Sequence, residues 1–384
     1  MNKQVSIIIP CFNAGKWLTE SIDSCLNQTY PHVEAIVVDD GSTDDSLDVI
    51  KSYGDRLRWK HHLHKGANPT RNEGLSMANG DYVLFVDADD YILPERVEKQ
   101  INCFESTGAD VVFSSVRSQK HYSDGRIVLG DPFDERYYRA GDDILESLIT
   151  SRRLAHNLSP MFTRSILKTV GGWDETVQCS QDRDLLLSVA LAGAKFEFLP
   201  GCYSVYRQYP SAARVSASKS RIRAEASLER TSKAEKTLRT QERYETYRKA
   251  LAQAFFRSAF LYGRYYSDWE YQQILDNIQR LDPSYRSEFS FIAYPHRGFR
   301  TLETLFGFRA ASTTYRWMKA RAGSFSVRGK KTDYTSHQPL ARSRGFVAEL
   351  SLFNDSRRMK SHSEKGTPRH GRSREFESHW ERVD

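Results

Sequence analysis

Long apolar runs are missing from this 384-residue sequence. No stretch approaches the ~18 consecutive apolar residues that a membrane-spanning helix requires. The opening residues MNKQVSIIIP lead straight into a β-branched run, and its apolar part is too short for the hydrophobic segment of a secretory signal. We therefore expect a cytoplasmic protein, either free in solution or peripheral at the inner face of a membrane.

Cysteine pairs and the glycine-rich loops of dinucleotide sites are also missing. The five cysteines are odd in number and widely spaced, and none forms a CxxC pair. This argues against a disulfide framework or a cysteine-bound zinc, and it indicates a reducing compartment. No GxGxxG follows the first predicted strand, so a dinucleotide-binding site is disfavoured.

Net positive charge is missing from the body of the chain, although the whole sequence carries a net charge of +7. Residues 316–384 hold sixteen Lys/Arg against eight Asp/Glu, a net of +8, so residues 1–315 are close to −1. The Ser-, Arg-, Lys- and Gly-rich residues 324–384 are predicted to be a disordered basic tail. Nucleic-acid binding is not expected, because the near-neutral body offers no basic, aromatic β platform.

What the sequence does contain is an alternation of β-branched runs and helical patterns. This alternation predicts a parallel sheet with right-handed crossovers. A hairpin is expected around residues 123–125, and Ser42 or Thr43 is expected to cap the second helix. The predicted strands are 5–10, 33–38, 82–86, 111–115 and 196–199, and the predicted helices include 16–28, a second ending near 53, 71–79, 180–192 and most of 216–261.

The stretch DYVLFVDADDYILP at residues 81–94 is the most informative part of the chain. An apolar strand ends there in Asp87, Asp89 and Asp90, at the sheet edge where open α/β proteins bind ligands. Clustered carboxylates suit Mg²⁺ or Mn²⁺, which take hard oxygen ligands and bridge to a diphosphate. A solvated acidic turn is the alternative. Two further acidic sites, Asp39-Asp40 and Asp182, follow other sheet elements, and together the acids suit nucleotide-diphosphate chemistry.

Four motifs in order give the chain a resemblance over about residues 4–210. They are VSIIIPCFNAGKWL, EAIVVDDGSTDDS, RNEGLSMANGDYVLFVDADD and VGGWDETVQCSQDRDLLL. They resemble the family-2 inverting glycosyltransferases. The resemblance implies a GT-A fold, a Rossmann-like, mixed but mainly parallel sheet flanked by helices. It also implies metal-dependent transfer of a sugar from a nucleotide-diphosphate donor, with UDP as the expected nucleotide.

For the nucleotide, the resemblance implies that the loop after the first strand, with Pro10 and Phe12, contacts the donor. Asp40 would accept a hydrogen bond from the uracil-like N3–H, and Asp39 would order the loop. Phe12 would stack on the base or pack in the core, and the sequence leaves both open. His61, His62 and His64 have no metal spacing and are interpreted as solvated.

For the diphosphate, Arg71 would reach toward the phosphates, since a guanidinium binds two oxygens at once. A surface ion pair is the alternative for Arg71. Asp87 would lie near the ribose, and Asp89 would bind the metal, Mn²⁺ or Mg²⁺. Asp90 would order the turn or bind through water.

For the transfer step, Asp182 in the motif QDRD would be the base that deprotonates the acceptor hydroxyl, with a structural helix cap as the alternative. Trp173 and Asp174 would help form the acceptor or sugar site, and core packing is the alternative for Trp173. The family often has a histidine beyond the Tyr206-Arg207 pair. Gln208, Tyr209 and Pro210 stand there instead, which puts a metal contact from that loop in doubt.

The C-terminal part of the chain, after about residue 210, lies outside the resemblance. Residues 299–322 mix aromatic and basic side chains, which is typical of a helix on an anionic membrane surface. Packing on the catalytic body is the alternative. We expect a catalytic domain at 1–215, a helical extension at 216–323 and the basic tail at 324–384. Within the first domain, the nucleotide-binding half would end near 115 and the acceptor half would follow.

The leading hypothesis is an enzyme that transfers sugar to a glycan or lipid-linked acceptor in polysaccharide or glycoconjugate biosynthesis. A nucleotidyltransferase would share the nucleotide-binding sheet edge, but PCFNAGKWL is a poor match to its usual loop. A scaffold that binds nucleotide without turnover is the third hypothesis, and the retained acids argue against it.

Overall fold

A computed structural model describes residues 3–133, 141–150, 158–210, 221–286, 299, 303 and 307–316. All of them belong to one compact unit, Met1–Val327. The second unit, Arg328–Asp384, lies outside the described residues, and with it most of the predicted basic tail.

A single mixed sheet of nine strands organises the described part of the chain. Its strands are β1 (Val5–Cys11), β2 (Val33–Asp39), β3 (Arg58–His61), β4 (Tyr82–Phe85), β5 (Tyr91–Ile92), β6 (Val111–His121), β7 (Ile127–Phe133), β8 (Met161–Thr163) and β9 (Phe196–Gln208). The order across the sheet is β3-β2-β1-β4-β8-β6-β9-β5, with β7 paired to β6. Strands β1 to β4 pair in parallel, as does β6 with β9, while β8, β5 and β7 pair antiparallel.

Ten of the α-helices in the described ranges connect and cover these strands, and residues 307–316 are helical as well. The ten are α1 (Gly15–Leu26), α2 (Ser46–Ser52), α3 (Ala67–Met77), α4 (Arg96–Thr107), α5 (Ile144–Ile149), α6 (Arg164–Val170), α7 (Gln181–Leu191), α8 (Arg221–Thr240), α9 (Tyr244–Tyr262) and α10 (Asp268–Leu281). The mixed α/β class, the hairpin at 123–125 and the helical extension all agree with the predictions. The predicted domain boundaries remain predictions.

The predicted cap of the second helix is wrong. Helix α2 begins at Ser46 with Asp45 at its N-cap position, so Ser42 and Thr43 lie before it. These two residues instead form hydrogen bonds with Asn13, just before α1. The Ser42 hydroxyl accepts from the Asn13 amide, and the Thr43 amide donates to the Asn13 side chain.

The core lies on both faces of the sheet, because alternate residues of a strand point to opposite sides. From β1, Ile7 and Ile9 pack against Leu18 of α1, while Ile8 enters a cluster on the other face. That second cluster continues without a break into the extension, where Phe256 is 1% exposed. The extension therefore shares its core with the sheet.

The described residues of the segment 299–322 pack against this extension. Phe299 and Phe308 are 2% and 8% exposed, and Tyr315 stacks on Phe260 with ring centroids 4.8 Å apart. Arg309 and Arg316 form ion pairs with acids of α10. The membrane-surface prediction is wrong for these apolar side chains, because burial makes them unavailable to lipid. No helix in the described ranges has the length and apolarity to cross a bilayer.

Candidate active site

The acidic motifs meet at one edge of the sheet because β1, β2 and β4 run in parallel. Asp39 is the last residue of β2 and pairs in register with Cys11, the last residue of β1. Asp87 follows β4 after one intervening residue, Val86. Carboxyl ends of neighbouring parallel strands form the usual ligand edge of such sheets. The fold therefore brings the predicted nucleotide residues and the predicted metal residues to the same place.

Arg71 of α3 joins three of the predicted motifs. Its Nη2 lies 2.9 Å from Asp87 Oδ1, its Nη1 donates to Gln181 Oε1 at 3.2 Å, and its guanidinium covers the Trp173 ring at 4.6 Å. Arg71 is only 8% exposed, so the alternative of a surface ion pair is wrong. A buried cation therefore connects the acid after β4 with the residue beside Asp182.

The acids after β4 are held by the end of β9. Arg207 donates from its amide to Asp90 Oδ1 at 2.8 Å and from Nη1 to the Asp89 carbonyl at 2.9 Å. The Tyr209 hydroxyl donates to Asp89 Oδ2, also at 2.9 Å. Arg207 is itself 1% exposed and pairs with Glu20. The Tyr-Arg motif therefore shapes the acidic loop, and Tyr209 binds the predicted metal ligand directly.

Asp90 differs from its neighbours because it is fully buried. Burial, followed by the charges of Asp89 and Asp87, raises the pKa of the Asp90 carboxyl well above its usual value. Its contact with the Arg207 amide orders the turn. The role of ordering the turn fits this contact, and binding of an ion through water stays a prediction.

The donor set after β4 fits a divalent cation that is shared with substrate. Within the described residues, no three acidic, histidine or cysteine side chains converge to enclose an ion. Mg²⁺ and Mn²⁺ need no such cage when a nucleotide is bound, because one or two carboxylates and the phosphate oxygens complete the coordination. Asp89, with Asp87 two residues away, supplies hard oxygens of the required kind.

Asp40 orders the loop that precedes α3, and Asp39 orders the loop that follows β2. Asp40 is 3% exposed and accepts from the amides of Lys65 at 2.7 Å and Gly66 at 3.0 Å. Asp39 accepts from the Ser42 amide at 3.2 Å, as the resemblance implied for loop ordering. Both carboxylates therefore fix the nucleotide edge, and a hydrogen bond from a base to Asp40 stays a prediction.

The histidines of this loop contact these acids. His61 Nδ1 lies 2.7 Å from Asp39 Oδ2, and His64 Nδ1 lies 2.9 Å from Asp40 Oδ2. The interpretation of the histidines as merely solvated is wrong, because β3 pairs with β2 and carries them to the acids. Sequence spacing gave no indication of this pairing.

The Phe12 side chain is exposed to solvent at the same edge of the sheet. It is 47% exposed, and its ring contacts that of His64 with centroids 4.4 Å apart. The core-packing alternative for Phe12 is therefore wrong, and an aromatic face is available beside Asp40. Pro10, in register with Val38 of β2, is partly buried behind it.

Trp173 is a core residue. It is 5% exposed, and its ring meets Phe85 edge-on at 5.1 Å and lies under Arg71. The core-packing alternative therefore describes Trp173, because both contacts cover the ring. Asp174 is more open, accepts from Thr176 and lies 3.5 Å from Lys233.

Asp182 is the second residue of α7. Among the residues that the structure describes, its carboxylate forms no hydrogen bond or ion pair, although it is partly buried. Asp184, two residues further, is buried and pairs with Lys233 of α8 at 2.8 Å. An unengaged carboxylate at a helix start can accept a proton or a hydroxyl hydrogen bond.

Several residues of this site were missed by sequence reasoning. Tyr209 and the loop histidines meet their partners only through strand pairing, and Lys233 comes from the extension. One sequence feature pointed to Tyr209. It lies in the segment 208–210, where the family often has a histidine and this chain has none.

Comparisons with known proteins find similar glycosyltransferases. Residues 6–152 match the family described as glycosyl transferase family 2. An uncharacterized glycosyltransferase of Rickettsia typhi is 33% identical over 186 residues, which cover 47% of this chain and 57% of that protein. The glycosyltransferase GlyG of Streptococcus pneumoniae is 36% identical over 119 residues, covering 30% of this chain and 40% of its own. The chain thus spans about half the length of these relatives.

A solved structure gives the fold. TarS of S. aureus (residues 1–349), crystallised with UDP-GlcNAc, superposes with a TM-score of 0.60 at 20% identity, over 83% of this chain and 92% of its own. This likeness shows that the chain has the GT-A fold, and residues 6–152 are similar to glycosyltransferase family 2.

Proposed function

We propose that the protein is a metal-dependent inverting glycosyltransferase that uses a nucleotide-diphosphate sugar, with UDP as the nucleotide. The observation that carries this proposal is the position of Arg71, which joins Asp87 on the donor side to Gln181, the neighbour of Asp182. The buried Arg71 guanidinium lies between the motif that contains Asp87 and the motif that contains Asp182. This position suits a diphosphate leaving group next to a base. TarS, which shares the fold, was crystallised with a sugar nucleotide of this class.

The donor would lie across the carboxyl ends of β1, β2 and β4. Phe12 offers an exposed aromatic face for the base, and Asp40 lies beside it. Asp87 faces the ribose and diphosphate while its charge is balanced by Arg71. Asp89 would hold the Mg²⁺ or Mn²⁺ ion, which offsets the diphosphate charge and stabilises the leaving group when bound.

Asp182 would act as the base on the other side of the anomeric carbon. Its carboxylate takes the proton of the acceptor hydroxyl while that oxygen forms its bond to the anomeric carbon. The bond from that carbon to the diphosphate oxygen breaks, and its electron pair leaves with the nucleotide. Attack from the face opposite the leaving group inverts the configuration and gives a β-linked product from an α-linked donor.

The acceptor would be a glycan or a lipid-linked saccharide in polysaccharide or glycoconjugate biosynthesis, and a cytoplasmic site of action suits the nucleotide-sugar supply. The region that would receive it lies between α7 and the extension, because Asp182 is at the start of α7 and α8 packs alongside.

Two variants separate binding from chemistry. Asp89→Ala should abolish the metal-dependent part of UDP binding, since it removes the proposed ion ligand. Asp182→Asn should leave UDP and metal affinity unchanged and lower the rate of sugar transfer or donor hydrolysis by about 10²–10⁴-fold. Isothermal titration and a donor-hydrolysis assay measure the two effects.

The same pair of variants distinguishes the alternatives. Full activity in Asp182→Asn would refute the proposed base. UDP binding without hydrolysis or transfer in the unchanged protein would indicate a scaffold, and release of pyrophosphate from a nucleoside triphosphate would indicate a nucleotidyltransferase.

A further inference from the structure

Helix α8 of the extension runs beside α7 in the same direction. Lys233 Nζ lies 2.8 Å from Asp184 Oδ2, and Gln241 Nε2 donates to the Leu191 carbonyl at 2.9 Å. The two contacts follow one another in the same order along both helices. The helices are therefore parallel, and the contacts fix which residues lie side by side. Arg230 stands three residues before Lys233, so it lies level with the first turn of α7, where Asp182 is found.

Arg230 is a buried cation near the start of α7. The residue is 8% exposed, and within the described ranges its guanidinium forms no hydrogen bond or ion pair. Arg183, the residue after Asp182, is partly buried, and it too has no such partner among the residues that the structure describes. Buried arginines are normally paired, because a guanidinium has five donors to satisfy. Lys233, one turn along the same helix, follows that rule.

The two arginines act on each other. Burial lowers the pKa of the Arg230 guanidinium, and the charge of Arg183 lowers that pKa further, while Asp184 and Asp182 oppose the shift. Asp184 is already neutralised by Lys233. Two cations and one free carboxylate therefore remain at the start of α7, an arrangement that an additional anion would stabilise.

The start of α7 adds donors of its own. The helix has eleven residues, and Ser180 at its N-cap has a left-handed backbone with φ of 56° and gives no side-chain cap. The first-turn amides are therefore not satisfied by the cap residue, and the positive end of the helix dipole lies beside both arginines. Helix starts of this kind bind oxyanions.

We propose that Arg183, Arg230 and the first turn of α7 form a binding site for a phosphate-ester group of the acceptor. This inference rests on the proposed function, since it places the anion beside the hydroxyl that Asp182 deprotonates. The planar guanidinium groups suit two oxygens each, and repulsion from Asp182 directs the anion to the arginine side. Arg230 lies outside the family match at residues 6–152, where acceptor specificity can differ between relatives.

The test uses the full chain saturated with UDP and Mg²⁺, so that the donor site is already filled. Glycerol 3-phosphate and geranyl diphosphate serve as probes in isothermal titration, with glycerol as the neutral control. The two probes distinguish a polyol-phosphate source from a lipid-diphosphate source. Arg230→Met and Arg183→Met should each weaken binding of the preferred probe at least about tenfold, the loss typical for a charge-assisted contact. Arg239→Met, on the same helix but paired with Glu235, is the matched control and should bind as the unchanged protein does.

Equal probe affinity in all variants, or no binding of either probe to the unchanged protein, would overturn the proposal. A parallel loss of UDP affinity in the two arginine variants would overturn it as well, because it would assign the arginines to the donor. If Arg230→Met does not fold, Arg183→Met decides, since Arg183 is only partly buried. Failure of the unchanged protein to bind UDP would count against the proposed function alone, and the probes would then be titrated into the UDP-free protein.

Discussion

Asp87, Asp89 and Asp90 lie within four positions of the sequence but in three different environments. Asp87 is paired with Arg71, Asp89 accepts from Tyr209, and Asp90 is fully buried against the Arg207 amide. Only the first two of these carboxylates are partly exposed. The environment of each acid, rather than its presence in the motif, therefore decides its role.

The Tyr209 hydroxyl orients the proposed metal ligand, so its removal should weaken metal binding. Tyr209→Phe should raise the Kd for Mn²⁺ in the presence of UDP by about 10–100-fold, since groups that orient a ligand typically contribute this much. The Mn²⁺ signal in electron paramagnetic resonance measures the free ion directly.

The matched control for this variant is Tyr203→Phe. Tyr203 lies on β9, the strand that ends just before Tyr209, and its hydroxyl donates to the Pro200 carbonyl. Equal Mn²⁺ affinity in Tyr209→Phe and Tyr203→Phe would contradict the orienting role.

Among individual residues, the sequence predicted those that lie in motifs but not the side chains that form hydrogen bonds with them. Asp87, Asp89 and Arg71 were found because strand ends and short motifs are local patterns. Tyr209 donates to a residue 120 positions away, and no local pattern carries that information. For Trp173, the alternatives depended on burial, which the sequence left open.

At the scale of elements, the N-termini of α1 and α2 share one capping side chain. The Asp44 carboxylate accepts from the Gly15 amide at the start of α1 and from the Ser46 amide at the start of α2, both at 3.0 Å. Neither N-cap residue bonds through its own side chain. One carboxylate outside both helices thus caps them together, which explains why a cap predicted from adjacent residues was wrong.

Replacing this shared cap should give a pH-dependent loss of stability. Burial acts to raise the pKa of Asp44, but hydrogen bonds from Ser46 and Gly15 outweigh it, and the net pKa is lowered. The charged form is therefore stabilised by folding above the usual aspartate pKa, and this contribution is lost as the pH falls through the lowered value. Asp44→Asn should cost about 1 kcal/mol at pH 7, the usual value of a cap.

Urea unfolding at pH 7 and near pH 3 measures this difference between Asp44→Asn and the unchanged protein. The difference should shrink at the lower pH. Asp48→Asn, in the first turn of α2, supplies a control that leaves the shared cap intact. A difference that is the same at both pH values would contradict the charged cap.

Strand β9 illustrates what the sequence leaves out at this scale. A short strand was predicted at 196–199 because Pro200 and Gly201 usually end a strand. Gly201 has a φ of 111°, and the pairing register with β6 shifts at Ser115. These two features accommodate Pro200 and Gly201 within the strand, which continues to Gln208. That continuation carries Arg207 and Tyr209 to the acids.

At the scale of the whole molecule, the catalytic sheet and the extension share one apolar core. Ile8 of β1, Leu186 of α7 and Phe256 of α9 belong to the same buried cluster. The sequence predicted two separate elements of structure because their compositions differ. Their common core could not be predicted, since it depends on side chains that are far apart in the chain.

This shared core predicts how the chain tolerates shortening. A fragment of residues 1–327 should unfold cooperatively and bind UDP like the full chain, because it contains the whole compact unit. A fragment of residues 1–210 should lose cooperative unfolding, because each large apolar side chain left uncovered costs about 1.5–3 kcal/mol. Calorimetry of both fragments measures this. Cooperative unfolding of the shorter fragment at the temperature of the longer one would contradict the shared core.

The central claim is that the acids after β4 and the sheet edge around Phe12 bind a nucleotide diphosphate together with a divalent ion. The most direct measurement is thermal unfolding of the full chain with UDP, GDP, dTDP and CDP, each with and without Mn²⁺. We expect UDP to stabilise the protein only when Mn²⁺ is present, by ~2.7 kcal/mol at a hundredfold excess over Kd. A shift that is the same without the metal, or no shift with any of the four nucleotides, would contradict the account.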